Sequence, residues 1–347
     1  MRRQAGQLSV AAQGLKFTSF AVGGGTPLIL DEGQLEELFC LAELFGVHPS
    51  RVFTSVETSP EYTQKSVLRQ LRARGVERLS MGVQSFNETE LKKLKRRPGL
   101  GTVVGALENI VEAGFPQFNL DLIYGIEGQT VESFMRSLNT ALTYRPNELF
   151  IYPLYVRPGT RIDVRSTDDI GYAIYKSARE LLVGQGFVQT SMRRFVRRET
   201  TETEFSCGDE VMLSCGAGGR SYLGNLHYAT PYAVRQQAIA DEIDHYIRTT
   251  DFMTAANGFL LSTEEMQIRF IIKNLMYHRG VDLAEYEKRF GEKPDRNLFR
   301  EFTDRGWIEE PGRIVRLTEE GMAYSDYIGQ AFISPAVRKL MSEYVYP

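Results

Sequence analysis

Between Phe17 and Pro27 the chain reads FTSFAVGGGTP. An apolar-alternating run with Phe and Val passes straight into three glycines, a threonine and a proline, the pattern of a strand that stops in a tight turn. Gly23, Gly24 and Gly25 bring no Cβ to that turn, so its backbone is free to take positive φ and to present bare peptide N–H groups to a ligand. A strand that ends this way is a binding edge, and the rest of the chain has to be built around it.

The same strand-turn-helix unit then recurs along the chain. Asp31 and Gln34 form a capping-box pair, and Leu35, Leu38, Phe39, Ala42 and Phe45 recur at helical spacing. Arg51 to Val56 is strand-like and ends at Glu57, and a helix from about Tyr62 closes at Gly75. Arg78 to Val83 is strand-like and ends at Gln84, with Asn87 and Glu90 as the cap pair of a short basic helix. A helix from Thr102 to Gly114, a strand from Phe118 to Ile123 carrying Asp121, a helix from about Val131 and a fifth strand from Glu148 to Val156 complete the series. Five strands alternating with helices predict parallel β/α units, as a barrel or as an open sheet. Met1 to Leu8 reads as the back end of a helix, so the chain begins in mid-element.

From Ile170 the rhythm loosens into a helix, a strand-like run from Phe187 to Val196, a glycine-rich GAGGRS run from Gly216 and a helix after Pro231. Near Gly258 the character changes, and Ser262 with Glu265 caps a new helix. Two shorter helices, Trp307-Ile308, a Pro-Gly turn, and Ile314 to Leu317 predict a small winged-helix-like α+β domain. The divisions are residues 1–165, 166–258 and 259–347. The three cysteines, Cys40, Cys207 and Cys215, are too scattered for a disulfide framework, and no apolar run reaches about 18 residues. With a net charge of -3 there is no global bait for nucleic acid or membrane, and the chain reads as a cytoplasmic protein.

Each of the five strands presents a polar group at its C-terminal end: the turn from Gly23 to Thr26, Glu57, Gln84, Asp121 and Tyr155. In parallel β/α folds that end collects ligands. The glycine turn suits an ammonium and a carboxylate, while the side chains supply acceptors for ribose hydroxyls or an amine. Arg96 is a bidentate partner for a carboxylate. Glu57 or Asp121 taken singly reads equally well as a carboxylate capping the next helix.

GGGTP at Gly23 to Pro27, SVETSP at Ser55 to Pro60, MGVQSFN at Met81 to Asn87, NLDLIYGIEGQT at Asn119 to Thr130 and YVRPGT at Tyr155 to Thr160 resemble the oxygen-independent coproporphyrinogen III oxidase family of radical S-adenosylmethionine (SAM) enzymes. The tail, from LSTEEMQIRF through GVDLAEYEKRFG to IVRLTEEGM, resembles that family's C-terminal domain. The resemblance implies an α/β fold, a partial (β/α)6 barrel here lacking its first strand and cluster loop. It implies SAM held by Gly24, Gly25, Thr26, Glu57, Gln84, Arg96, Asp121 and Tyr155, with Arg220 in the segment that closes the site. It also implies an electron donor, a porphyrinogen or heme as the small-molecule partner, and 5′-deoxyadenosyl radical chemistry. A heme-binding chaperone shares the same barrel and tail.

The family's [4Fe-4S] cluster sits on a C-x3-C-x2-C loop before the GGGTP strand, and no cysteine precedes Gly23 here. A start cut short of that loop and a cluster-free relative both explain this, and the mid-helix start favours the first. Arg193, Arg194, Arg197 and Arg198 suit the carboxylates of a tetrapyrrole, or an exposed sheet edge. Tyr222, His227 and Tyr228 fall near the substrate end, and the histidines lack metal-ligand spacing. The rival from another class is a winged-helix nucleic-acid binder, against which Glu309, Glu310, Glu319 and Glu320 beside the wing argue.

Overall fold

The computed structural model describes residues 1–96, 99–155, 168–197, 211–231, 233 and 235–344. They divide into two compact units, Met1–Ala178 with Glu199–Gly258, and Arg179–Arg198 with Phe259–Tyr346.

The first unit opens with α1 (Arg2–Ala11), β1 (Ser19–Val22) and α2 (Glu32–Glu43), then β2 (Phe53–Thr58), α3 (Lys65–Ala73) and β3 (Arg78–Gln84). It continues through α4 (Glu88–Lys93), α5 (Leu100–Ala113), β4 (Gln117–Tyr124), α6 (Val131–Thr143) and β5 (Glu148–Pro153). The five strands pair in parallel in chain order. The capping box at Asp31 forms as the sequence predicts, Gln34 N–H donating to Asp31 at 2.8 Å and Gln34 accepting from Asp31 N–H at 3.0 Å. β5 ends at Pro153, earlier than the predicted Val156, which lies outside the described residues.

Side chains alternate across a strand, and in-register parallel neighbours share a face. One face carries Val56, Leu79, Met81, Leu120, Leu149 and Ile151, all fully buried, matching the buried Leu35, Phe39, Leu68, Leu107 and Leu138 of the helices. The other carries Ser55 beside Arg78, Glu57 beside Ser80, Ser80 beside Asn119, Gly82 beside Asp121, and Asp121 beside Phe150. Sheets covered on both faces by helices read as unbroken apolar runs. This sheet instead has a polar face, and that face bears the candidate site.

Elsewhere in this unit Arg220–Leu223 and Leu226–Ala229 form an antiparallel hairpin flanked by Val211–Met212. The glycine-rich loop before it is tied to α1, because Gln4 accepts from Gly216 N–H at 2.8 Å and from the Tyr246 hydroxyl at 2.7 Å.

In the second unit the expected single strand over Phe187 to Val196 is a hairpin, Phe187–Gln189 against Arg194–Arg197. Thr190 N–H donates to the Arg194 carbonyl at 2.9 Å and Arg194 N–H to Ser191 Oγ at 3.2 Å, closing a turn in the middle of the run. Arg193 sits in that turn and pairs with Asp326 at 2.5 Å. Arg198 and Cys207 lie outside the described residues.

The helix Thr263–Leu275 starts at Ser262, whose hydroxyl accepts from Glu265 N–H. The expected two-stranded wing has a third strand: Ile314–Leu317 lies between Val281–Asp282 and Ile308–Glu309. Phe270, Leu275, Phe299, Val315 and Ile328 form the core, and Trp307 stacks on Tyr324 with centroids 4.5 Å apart. Glu309, Glu310 and Glu319 are paired with Arg316, Arg296 and Arg179. Among the described residues no helix is long and apolar enough to cross a membrane.

Candidate ligand-binding site

The turn after β1 uses the freedom its glycines give, with φ of 83° at Gly24 and 76° at Gly25. Glu57, next to last in β2, folds against it, and Gly24 N–H donates to its carboxylate at 3.2 Å. Asp121 stands inside β4, not at its end. Neither carboxylate caps a helix: α3 begins without a side-chain cap and α6 is capped by Thr130. The capping alternative for Glu57 and Asp121 therefore falls.

Gln84 ends β3 in the left-handed region, φ 74°, where the β3–β4 register slips between Gly82 and Gln84. Its amide folds back over Gly82, so that a Cβ on residue 82 would lie 2.6 Å from Gln84 Nε2 and 4.0 Å from Asp121 Oδ2. Glycine at this position leaves room for the Gln84 amide beside the strand, with Asp121 bordering the same space. Gly82 also lines a cleft of about 240 Å³ with Thr26, Ser59, Pro60, Glu61, Lys95 and Arg96. The cations Lys95 and Arg96 and the carboxylate of Glu61 thus line one cleft beside the strand that carries Gly82.

We expect Gly82→Ala to displace the Gln84 amide while leaving the fold almost untouched, since the obstructing atom is the end of a flexible side chain. Ligand binding should weaken about tenfold, the worth of one hydrogen bond. Stability should change by less than about 1 kcal/mol. Calorimetric titration and urea melts measure the two effects separately.

Two supporting networks have no counterpart among the sequence expectations. Arg78 pairs with Glu148 at 2.6 Å and donates to Ser55 Oγ at 3.0 Å, joining β2, β3 and β5 across the polar face. Asn119 donates from Nδ2 to Ser80 Oγ and to Asp121 Oδ1, each at 2.7 Å, and its buried Oδ1 has no partner among the described residues. The signal was present in RLSMGVQ and NLD, where every second residue is polar or glycine.

Asn87 caps α4 as expected, but Glu90 turns away from the cap. Buried, it accepts from Ser85 Oγ at 2.5 Å, Ser133 Oγ at 2.7 Å and Gln129 Nε2 at 3.0 Å, tying the loop after β3 to the loop after β4.

The Asp121 carboxyl is pushed up to about 7, chiefly because burial disfavours its charged form, with help from Glu57 and Glu148 and against the pull of Asn119 and Arg78. Folding thus holds this proton to a higher pH than the unfolded chain does. On its own account the group lowers stability progressively as pH rises from about 4 to about 7.

The structure brings together Gly24, Gly25, Thr26 and Glu57, and separately Gln84 and Asp121, with Arg96 on the cleft wall. Tyr155, just beyond β5, is exposed, and Arg220 is exposed on its hairpin. Tyr222 meets His227 edge to face across that hairpin at 4.7 Å.

Residues 2–141 match the Radical SAM superfamily and residues 261–324 match the HemN C-terminal domain. The chain is 27% identical to heme chaperone HemW of Bacillus subtilis, over 90% of this chain and 84% of that one. It is 35% identical to the oxygen-independent coproporphyrinogen III oxidase of Salmonella typhimurium, over 78% of this chain and 62% of the relative. Its fold matches the coproporphyrinogen III oxidase (HemN) of Escherichia coli with a TM-score of 0.79 at 22% identity, over 95% of this chain and 81% of that one. The match over residues 2–141 is what assigns the parallel α/β sheet to the radical SAM class. The chain carries a radical SAM domain and a HemN C-terminal domain, and is homologous to HemW and to oxygen-independent coproporphyrinogen III oxidase.

The family implies SAM and a [4Fe-4S] cluster, and the two meet different receptions here. The glycine turn and the donor set of Glu57, Gln84, Asp121 and Arg96 fit a nucleoside carrying both an ammonium and a carboxylate. The two described thiols do not fit a cluster. Cys40 is exposed on α2, Cys215 is half-buried with its thiol pushed up to about 11, chiefly by burial, and Cys207 is outside the described residues. Among the described residues no three His, Cys, Asp or Glu side chains are grouped to hold a metal.

Proposed function

We propose that the chain binds S-adenosylmethionine across the ends of β1 to β4 and serves a tetrapyrrole, a porphyrinogen or heme, as its small-molecule partner. The observation that carries the first half is the approach of Glu57 to the glycine turn and of both Gln84 and Asp121 to Gly82, with Arg96 lining the adjoining cleft. In this reading the turn and Glu57 hold the amino-acid end. Gln84 and Asp121 accept from hydroxyl or amine groups, and Arg96 offers its fork to a carboxylate. Tyr155 contacts the nucleoside from just beyond β5 and Arg220 belongs to the covering segment.

Oxidoreductase chemistry through a 5′-deoxyadenosyl radical, with an outside electron donor, is the family-level expectation. Three thiolates around one cluster are the requirement of that chemistry, and the role proposed for the described residues is to hold the nucleoside it uses. A heme chaperone role is the second reading, favoured by the match to HemW along 84% of that protein's length.

The test is calorimetric titration of the chain with SAM, followed by a heme titration read by absorbance. Saturable one-to-one SAM binding is expected, and its absence overturns the reading. A shifted heme Soret band without any porphyrinogen conversion would favour the chaperone role.

A further inference from the structure

The polar face is short of positive charge. Glu57 from β2, Asp121 from β4 and Glu148 from β5 share it with Arg78 from β3, whose guanidinium is committed to Glu148 at 2.6 Å and to Ser55 at 3.0 Å. The other groups near Asp121, namely Asn119, Ser80 and the Gln84 amide, are neutral, while Lys95 and Arg96 line the cleft bordered by Gly82 together with the Glu61 carboxylate. Resting on the SAM reading of this site, we propose that Glu57 and Asp121 select the ligand by its extra positive charge, and that Asp121 gives up a proton when that charge enters.

The physical reason is that the Asp121 carboxyl, buried and near the Glu57 charge, resists ionisation until a cation arrives. Asp121 stands close to half-protonated near neutrality, because burial opposes its charge. A sulfonium brought beside it stabilises the ionised form, so its binding must release a proton at mildly acid pH and need not above it. A neutral thioether of the same shape lacks that coupling. The site is therefore a discriminator between the charged sulfonium and the uncharged thioether left after its alkyl group departs.

The experiment titrates the full chain with S-adenosylmethionine and with S-adenosylhomocysteine at pH 5.5 and 7.0, below the titration of the ligands' α-amino groups at about 7.7. Each titration is run in two buffers of different ionisation enthalpy. SAM affinity is expected to rise roughly fifteenfold between the two pH values with nearly one proton released at the lower, and S-adenosylhomocysteine affinity to change less than about twofold. Asp121→Asn copies the protonated carboxyl and should hold SAM at the low-pH affinity throughout. Equal pH responses of the two ligands, or SAM binding without proton release, overturn the selector and leave the adenosyl site standing. No binding of either ligand at either pH removes the adenosyl reading and the selector with it.

Discussion

Arg78→Met is expected to cost about 3–5 kcal/mol of folding stability, the penalty of leaving a buried carboxylate without its cation. Glu148 is almost fully buried and Arg78 nearly so, and the pair bridges β3 to β5 across β4, with a third contact to Ser55 on β2. Removing the guanidinium strands Glu148 and loosens three strands at once. The double variant Arg78→Met/Glu148→Leu should recover stability to within about 2 kcal/mol of the parent, because apolar replacement of both partners restores a consistent interior. Urea unfolding followed by far-UV circular dichroism measures both. A single variant as stable as the parent would show that the pair carries no structural weight.

Glu57→Ala is expected to weaken SAM binding about a hundredfold, the loss of a charge-assisted contact, while leaving the melting temperature nearly unchanged. The side chain is exposed and accepts from Gly24 N–H at 3.2 Å, a long bond at the surface, so the fold has little to lose. A Cβ at Gly23 would lie 2.9 Å from the Glu57 carboxyl carbon, so Gly23→Ala should push the carboxylate off the turn and copy the binding loss in weaker form. Calorimetry on both variants is the check. Unchanged affinity in Glu57→Ala would move the amino-acid end of the ligand elsewhere.

Much of this was legible in the residues. The GGGTP turn, the capping box at Asp31 and the alternation of strands with helices depend on local rules of backbone freedom and periodicity, and each lies where its motif stands. The polar register of Ser80, Gly82, Asn119 and Asp121 was visible as every second residue. What remained hidden depended on contacts far apart in the chain. Glu90 reads as a cap partner of Asn87 until Ser133, 43 positions on, claims its carboxylate. The left-handed Gln84 follows from a register slip against β4, which no window on β3 contains. The run Phe187 to Val196 has strand composition throughout, and only the pairing of Thr190 with Arg194 reveals that it doubles back.

The two-sided sheet has a consequence for how such a protein can change over generations. Substitutions that alternate along β2, β3 and β4 fall into separate compartments of selection. Changes at Val56, Leu79, Met81 or Leu120 are judged by whether the molecule survives in the cell at all. On the binding reading proposed above, changes at Glu57 or Asp121 are judged by what it recognises, whereas Arg78 and Glu148 on the same face fall with the first group. A lineage could therefore exchange one ligand for another through a handful of steps on the recognising side and never pass through an unfolded ancestor.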